Sequence, residues 1–281
     1  MSSYKLSAKK IAEYGRHLRS EEKSTATMEK YLHDIGLFAA WLAGRAVTKE
    51  RVAEWKSHLA AAGYAPATIN TKLSAVNGLF DHLGWSECRV KFLKIQRRLF
   101  RDAGRELTKG EYQRLLSAAW ELGRVRLALL TETIAATGVR VSEVPYITLE
   151  AVRQGKARIV LKGKIRVILL PEKLCRKLQK YAKKEKITSG VIFRTKTGRP
   201  LNRRQIWAEL KRLCAHAGVA PGKGFPHNLR HLFATVFYQT CRDLVKLADL
   251  LGHSSIETTR IYLISSGAEH QRELERLGLV L

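Results

Sequence analysis

Residues 225–262 bring together side-chain types that could act on an anionic reacting group, in the segments FPHNLRHLFAT, LLGHSS and IETTRIY. His227 and Arg230 have an i, i+3 spacing, which places both on one face of a helix. His253 and Tyr262 follow in the same stretch. A guanidinium can hold two phosphate oxygens at once, and a phenol near Arg and His can serve as an oxygen nucleophile. These residue types predict phosphoryl transfer to tyrosine.

The turn residues indicate which elements position these side chains. Gly252 follows the apolar run LADLL and predicts a helix end, while Ser254 with Glu257 predicts the capping box of the next helix. His253 would then lie in a tight corner between two helices, with Tyr262 on the second. Each side chain alone also suits a packing or surface role, but their conjunction in this order favours a reactive site.

The composition is that of a folded protein with a basic surface. The chain of 281 residues is long enough for about two domains, each with its own core. It has 51 Lys and Arg against 25 Asp and Glu, a formal net charge of +26 at pH 7, and 45% hydrophobic residues. Such an excess indicates a polyanionic partner, with nucleic acid favoured and an anionic membrane surface as the alternative.

Several classes of protein are disfavoured by the sequence. No apolar stretch approaches the ~20 residues of a membrane span, and MSSYKLSAKK lacks a signal-peptide core, so we expect a cytoplasmic protein. The four cysteines are scattered without a CxxC pair, which favours neither a zinc site nor a disulfide framework. The chain has no Walker A motif, no GxGxxG and no acidic cluster for Mg²⁺, so we expect chemistry without cofactor or metal.

Residues 1–88 are predicted to form an all-α bundle of four helices, because apolar residues recur there at helical spacing. The predicted helix starts are Thr25 or Thr27, Thr48 and Thr68, and the predicted stops are Gly44, Gly63 and Gly84. A basic stretch at 89–105 is expected to connect this domain to a second one at 106–281. That stretch could be a solvated linker or could lie across a phosphate backbone.

The second domain is predicted to contain helices and one β-hairpin. In TIAATGVRVSEV, a break at Gly138 precedes Arg140 and Glu143, whose spacing lets the carboxylate orient the guanidinium. The runs ARIVL and IRVILL flank Lys162 and Gly163, which predicts a hairpin with Lys162 at its tip. A lysine there could be an ordinary turn residue, or it could enter a DNA groove and protonate a leaving oxygen.

The segment LNRRQIWAELKRLCAHAG predicts an amphipathic helix with Asn202 as its candidate cap. Arg203 and Arg204 fall in the first turn, where positive charge opposes the helix dipole. A polyanionic partner therefore explains these two residues better than pairing within the helix.

With these motifs in place, the chain resembles the tyrosine recombinases, the family of phage-integrase and Xer-type site-specific DNA recombinases. The resemblance covers nearly the whole chain and rests on ATGVRVSEV, VLKGK, HNLRH, LLGHSS and TTRIY. It implies a mostly α fold: an N-terminal four-helix SAM-like core-binding domain, then an α+β catalytic domain with a small β-sheet and a C-terminal interaction tail. The catalytic residues that it implies are Arg140 with support from Glu143, Lys162, His227, Arg230, His253 and Tyr262.

The hairpin turn is shorter than is usual for Xer-type sequences, which leaves Lys164 as a weaker competitor for the role of Lys162. The resemblance also implies contacts with DNA outside the catalytic residues. The residues expected to make them are Thr68, Lys72, Lys164, Arg203 and Arg204.

The mechanism implied by the resemblance begins with attack of Tyr262 on a backbone phosphorus, which gives a 3′-phosphotyrosine and a free 5′-hydroxyl. The two arginines and His253 would neutralise the transition state, His227 would manage the tyrosine proton, and Lys162 would protonate the leaving oxygen. Two exchanges through a four-way junction recombine double-stranded DNA at an inverted-repeat core site, without metal or ATP. The family implies a homotetramer on two duplexes, a monomer or dimer off DNA, and no membrane association.

Other interpretations remain open at this point. The arm-binding domain of larger phage integrases has no counterpart here, so a simple crossover site is expected in preference to a phage-type attachment site, although some mobile-element integrases are equally short. Residues 267–281 end in apolar side chains that could dock on their own domain or on a neighbouring subunit. A type IB topoisomerase would relax one duplex without needing a particular sequence. A non-catalytic DNA-binding regulator would be favoured by a missing catalytic residue, and none is missing.

Overall fold

The chain divides into two structural units, Met1–Arg97 and Arg98–Leu281. The structure, a computed structural model, describes residues 4–95, 104–161, 164–253, 255–260 and 275–277. In these ranges no helix combines the length and the apolar character that crossing a membrane requires. The domain bounds 1–88, 89–105 and 106–281 remain a prediction.

The first unit is an all-α bundle, as expected. Its described helices are α1 (Ala8–Ser20), α2 (Thr25–Leu42), α3 (Lys49–Ala61) and α4 (Pro66–Leu83), with a 3-10 turn at Ser86–Cys88. Aromatic and branched side chains from α2, α3 and α4 fill its centre, where Phe38 and Trp55 lie with ring centroids 4.9 Å apart. Phe38, Leu73 and Phe80 are fully buried in this core.

The ends of these helices follow local capping chemistry. Thr48 caps α3 as predicted, since its side chain accepts a hydrogen bond from the backbone of Arg51. Gly84 ends α4 with φ of 71°, the left-handed conformation that glycine adopts without strain. The predicted start at Thr68 is wrong: α4 begins at Pro66, because proline suits a first helical position, where no backbone donor is needed.

Lys72 lies inside this bundle, which contradicts its assignment to DNA contact. The residue is 5% exposed, and its Nζ donates to Oδ1 of the buried Asp34 at 2.8 Å. Lys30 reaches the other carboxylate oxygen from the surface at 3.1 Å. Burial alone would raise the pKa of Asp34, but the hydrogen bonds from Lys72 and Lys30 outweigh it and lower that pKa. The ammonium of Lys72 is therefore committed to the core.

We expect Lys72→Met to reduce the free energy of unfolding by on the order of 3 kcal/mol, because it removes the buried partner of a buried carboxylate. Lys30→Met is the matched control: it removes the exposed partner of the same carboxylate and should cost less than ~1 kcal/mol. Urea denaturation of the full-length variants measures both. Equal losses would contradict the buried role, and a DNA affinity reduced only in Lys72→Met, with stability unchanged, would restore the DNA contact.

The second unit is mostly helical and contains one two-stranded sheet. Its described elements are α5 (Lys109–Glu121), α6 (Val125–Thr137), a 3-10 turn (Val141–Tyr146), α7 (Leu149–Gln154), β1 (Lys156–Leu161), β2 (Lys164–Leu169), α8 (Glu172–Lys184), α9 (Arg203–His216), α10 (Pro226–Cys241), α11 (Leu244–Leu251) and α12 (Ile256–Arg260). Asn202 caps α9 in a reciprocal capping box with Gln205, as predicted for Asn202. The prediction of a mostly helical fold with a small sheet is confirmed.

Helix α6 runs through the centre of this unit and ends at Gly138 against α10. Gly138 has φ of 63°, and a Cβ there would lie 2.6 Å from the ring of Phe233 and 2.9 Å from Leu251. Only glycine therefore lets the chain turn at this close approach. The backbone after this turn leads directly to Arg140.

The two strands form the predicted antiparallel hairpin, with Arg166 opposite Ile159 in the register. Ile159 and Ile168 are buried on the inner face of the hairpin. Arg166, two residues before Ile168, occupies an inner position opposite Ile159. The outer face carries the exposed apolar side chains Val160, Ile165, Val167 and Leu169. The apolar residues of β2 are thus divided between two faces, and a charged residue occupies an inner position.

Candidate active site

A cleft of about 490 Å³ in the second unit contains most of the described residues that the sequence predicts to be catalytic. Its walls come from the turn after α6, the start of α9, the start of α10 and the corner after α11. The side chains in it that carry charge or ring nitrogens are Arg140, Arg203, Trp207, His227, Arg230 and His253.

Arg230 is the most deeply held of these groups. It lies on α10 and is 3% exposed. Its Nη1 donates to the carbonyl of Gly138, and its Nη2 donates to the carbonyl of Leu251 at 2.9 Å. The same Nη2 lies 3.0 Å from Nε2 of His253. These partners fix the plane of the guanidinium before any ligand binds.

Arg140 precedes the 3-10 turn and is oriented by Glu143, as the spacing predicts. Its backbone N–H donates to Oε2 of Glu143 at 2.9 Å and its Nη1 to Oε1 at 3.0 Å. Its Nη2 donates to the carbonyl of Gly252 at 3.3 Å. The side chain of Arg140 is 37% exposed whereas that of Glu143 is 4% exposed, so a buried carboxylate holds a guanidinium that still faces the cleft.

His253 is held as a neutral ring with a defined tautomer. Arginine has no acceptor, so Nε2 of His253 must accept from Arg230, and the proton is on Nδ1, which donates to Thr259 Oγ1 at 2.8 Å. Burial, followed by the positive charge of Arg230 and Arg140, lowers the pKa of His253 to about 4. The ring of His253 therefore orients Arg230 as an uncharged group, and its part in stabilising the transition state stays a prediction.

His227 lies at the start of α10 on the rim of the cleft. Desolvation, followed by the charges of Arg230, Arg203 and Arg140, lowers the pKa of its ring. The ring is consequently neutral at pH 7 and able to accept a proton, which is the property that a general base needs.

Arg166 belongs to this cluster although the sequence did not suggest it. It donates to the carbonyls of Leu251 and of Leu250, the latter at 3.3 Å, and its Nη1 lies 3.7 Å from Oε1 of Glu143. The only signal in the sequence was the presence of a charged residue within an apolar strand. Because its neighbours Ile165 and Val167 are apolar, alternation predicts that Arg166 is exposed. Thr259, which fixes the tautomer of His253, was also missed.

One physical feature joins these groups: the guanidiniums of Arg140, Arg166 and Arg230 all donate to carbonyls at or just beyond the end of α11. Carbonyls at a helix C-terminus lack partners within the helix and carry partial negative charge. They can therefore hold several cations close together without carboxylates for each. The result is a positive, preorganised cleft suited to an anion.

The remaining predicted residues differ in position. Lys162 and Tyr262 lie outside the described residues. Lys164 begins β2, while Arg203 and Arg204 are exposed in the first turn of α9. Thr68 is exposed on α4 in the first unit. Trp207, one turn after Arg203, adds an exposed aromatic side chain to the cleft, and the Nζ of Lys211 lies 5.0 Å from its ring centroid.

We expect the stability of this unit to depend on the protonation of His253. An unfolded histidine titrates near 6.5 and the folded ring at about 4, so the unfolded chain binds more protons within this window. The stabilisation of the folded state that comes from the lowered pKa of His253 is complete above pH ~6.5. It is lost as the pH falls towards 4.

The measurement is the melting temperature of full-length protein between pH 7 and 4.5 for wild type and His253→Gln. The melting temperature of the variant should fall less on acidification than that of wild type, because Gln can make both hydrogen bonds without titrating. His216→Gln, which changes an exposed histidine on α9, should behave as wild type. The same acid sensitivity in wild type and His253→Gln would contradict the assignment.

Comparisons with known proteins identify the family of both parts of the chain. The phage integrase family model matches residues 105–269, and the model of the phage integrase N-terminal SAM-like domain matches residues 11–87. Tyrosine recombinase XerD of Xanthomonas campestris pv. campestris is 32% identical over 266 residues, covering 85% of this chain and 81% of the relative. Tyrosine recombinase XerA of Pyrococcus furiosus is 28% identical over 279 residues, covering 96% and 94%.

A solved structure of similar fold is that of a lambda integrase tetramer bound to a Holliday junction. It has a TM-score of 0.75 and 20% identity, and the similarity covers 93% of this chain and 78% of that one. The catalytic family model alone spans more than half of the sequence, including the whole described cleft. The chain therefore belongs to the phage integrase family and is a tyrosine recombinase.

Proposed function

We propose that the cleft binds the scissile phosphate of a DNA strand and that Tyr262 is the nucleophile that attacks it. The observation that carries the proposal is the convergence of Arg140 and Arg230 on one frame of carbonyls, beside the neutral rings of His227 and His253. The arginines supply fixed positive charge where negative charge develops on the phosphoryl oxygens. In other enzymes each such preorganised donor is worth roughly 3 to 4 kcal/mol of the barrier.

The proposed reaction conserves the energy of the broken phosphodiester bond in a covalent link to the protein. The Tyr262 oxygen forms a bond to phosphorus, and the bond from phosphorus to the 5′-oxygen breaks, leaving a 3′-phosphotyrosine. His227 takes the phenolic proton, and Lys162 gives a proton to the departing 5′-oxygen. The 5′-hydroxyl of a second strand reverses the step, so no nucleotide cofactor is consumed. Lys164 is the alternative donor.

We propose double-stranded DNA with an inverted-repeat core site as the substrate. The formal net charge of +26 supports a polyanion. Arg203 and Trp207 of α9 line the cleft, and Arg204 is exposed beside them in sequence. Thr68 on α4 is proposed as a contact made by the first unit, whereas Lys72 is not. We also propose a cytoplasmic location.

We further propose a tetramer on two duplexes that exchanges strands in two steps through a four-way junction. The support is the likeness to the lambda integrase tetramer bound to a Holliday junction. The comparisons give no support to a type IB topoisomerase or to a non-catalytic regulator. Apart from residues 275–277, the tail at 267–281 lies outside the described residues.

The test begins with a target site selected by binding from a randomised duplex library. That site is then supplied as a nicked suicide duplex, from which the released 5′-hydroxyl strand diffuses away. Full-length protein should give a covalent band on a denaturing gel, joined to the 3′ end of the labelled strand, and peptide mapping should place the adduct on Tyr262. A bound site without an adduct, or an adduct on the 5′ end, would overturn the proposal.

A further inference from the structure

Arg166 lies behind the cleft and not in its wall. It is on the inner face of β2, opposite the buried Ile159, and its side chain is 12% exposed. The cleft is lined by Arg140 and Arg230 but not by Arg166. Arg166 therefore has no direct route to a phosphate bound there.

The guanidinium of Arg166 shares one acceptor with each of the two cleft arginines. The carbonyl of Leu251 accepts from both Arg166 and Arg230. Oε1 of Glu143 accepts from Arg140 at 3.0 Å and lies 3.7 Å from Arg166. A displacement of Arg166 would consequently release a constraint on both arginines of the cleft.

The corner after α11 is shaped around this side chain. Gly252 has φ of 61°, and a Cβ there would lie 2.7 Å from Cδ and 2.8 Å from Nη1 of Arg166. The carbonyl of the same Gly252 holds Arg140. The backbone at this corner thus touches Arg166 on one side and Arg140 on the other.

Arg166 also contributes to the stability of this unit through the carbonyls of Leu250 and Leu251. Burial lowers the pKa of Arg166, and among the described residues its buried Nε has no hydrogen-bond partner. Replacing a whole buried ion pair with apolar side chains is often neutral, but removing one partner alone is destabilising. A positioning role must therefore appear as a loss of cleavage rate in variants that still fold.

We propose that Arg166 is a positioning residue for the strand-cleavage reaction: through Leu251 and Glu143 it sets the separation and orientation of Arg230 and Arg140. This inference rests on the proposed function of the cleft. Arg166 acts through these groups and does not touch the substrate. A misplacement of about 1 Å in catalytic groups can cost on the order of 10²-fold in rate, so a large kinetic effect is expected from a residue outside the cleft.

The test compares Arg166→Met and Arg166→Lys with Arg158→Met, a matched control that removes an exposed arginine from the other strand of the same hairpin. Three quantities are measured for each full-length variant: the melting temperature, the Kd for the selected DNA site, and the single-turnover cleavage rate at saturating DNA. Arg166→Met should cleave on the order of 10²-fold more slowly, with its Kd near that of wild type. Arg166→Lys should recover part of the rate, and Arg158→Met should cleave as wild type.

A wild-type rate in Arg166→Met would overturn the inference. So would a loss of DNA affinity that accounts for the whole defect, because Arg166 would then contact DNA. If neither variant folds, Arg166 serves the stability of the unit and the positioning role is rejected. Absence of any adduct with wild-type protein would instead reject the proposed function, so the two failures can be told apart.

A double substitution tests the contact with Gly252 directly. Gly252→Ala in wild type should lower the melting temperature through both the close approach to Arg166 and the strained φ. In the Arg166→Ala background only the backbone strain remains, so the additional loss should be smaller. Equal losses in the two backgrounds would show that Arg166 does not occupy the corner and would overturn the inference.

Discussion

Tyr262→Phe is expected to abolish covalent attachment to DNA while leaving the affinity for the target site near that of wild type. The substitution removes the attacking oxygen and little else. Because the covalent bond cannot form without that oxygen, the expected loss exceeds that of any other single substitution in the chain. The measurement is the covalent band formed with the nicked suicide duplex, together with a gel-shift titration of the same site.

Tyr238→Phe is the matched control, since it removes a phenol from α10 of the same unit at a position outside the cleft. It should give a normal covalent band. A persistent covalent band in Tyr262→Phe would show that another residue is the nucleophile. A loss of DNA binding equal to the loss of adduct would leave binding, and not chemistry, as the role of Tyr262.

Arg230→Ala should show the second largest effect, a fall in single-turnover cleavage of at least about 10² to 10³-fold. The substitution removes positive charge from the cleft and also frees His253, whose Nε2 accepts from Arg230. The carbonyl of Gly138 loses this donor in a buried position, which should lower the free energy of unfolding by about 1 to 3 kcal/mol. DNA affinity should fall far less than the rate, because most of the positive charge lies elsewhere.

Arg230→Lys separates the charge from the geometry. It retains the charge, but one ammonium cannot reproduce a planar fork that holds two carbonyls and a ring nitrogen. We expect it to fold and still cleave slowly. Arg176→Ala, at an exposed residue on α8, controls for loss of a surface arginine. Wild-type cleavage by Arg230→Lys would show that charge alone suffices and that the hydrogen-bond frame is irrelevant.

The local signals in the sequence were sufficient for most of the secondary structure. Helical spacing predicted the four-helix bundle, and the two β-rich runs predicted the hairpin, because both patterns depend on residues close in sequence. Thr48, Gly84, Asn202 and Gly252 lie at helix ends as predicted. The start of α4 was misplaced because proline at a first helical position outweighed the threonine two residues later.

Tertiary contacts overturned the assignment of Lys72 and decided the ionisation of His253, neither of which local patterns could judge. Lysine is usually a surface residue, but Lys72 lies on the face of α4 that contacts Asp34 of α2, 38 residues away in sequence. The presence of a lysine in a sequence does not reveal whether the folded core contains a carboxylate to pair with it. The lowered pKa of His253 has the same origin, since burial and arginines from distant segments decide it.

By itself, the sequence determined the family and predicted two domains, because motifs and local periodicity are enough for both. It also named the arginines and histidines of the cleft, Arg140, Arg203, His227, Arg230 and His253, but not Trp207. Only the tertiary structure decided how the cleft is held. The carbonyls at the end of α11 accept hydrogen bonds from three arginines: Arg140 before the 3-10 turn, Arg166 on β2 and Arg230 on α10. Alternation in IRVILL predicts an outward Arg166, yet the strand turns it inward, because unpaired helix-end carbonyls attract a cation and exist only after folding.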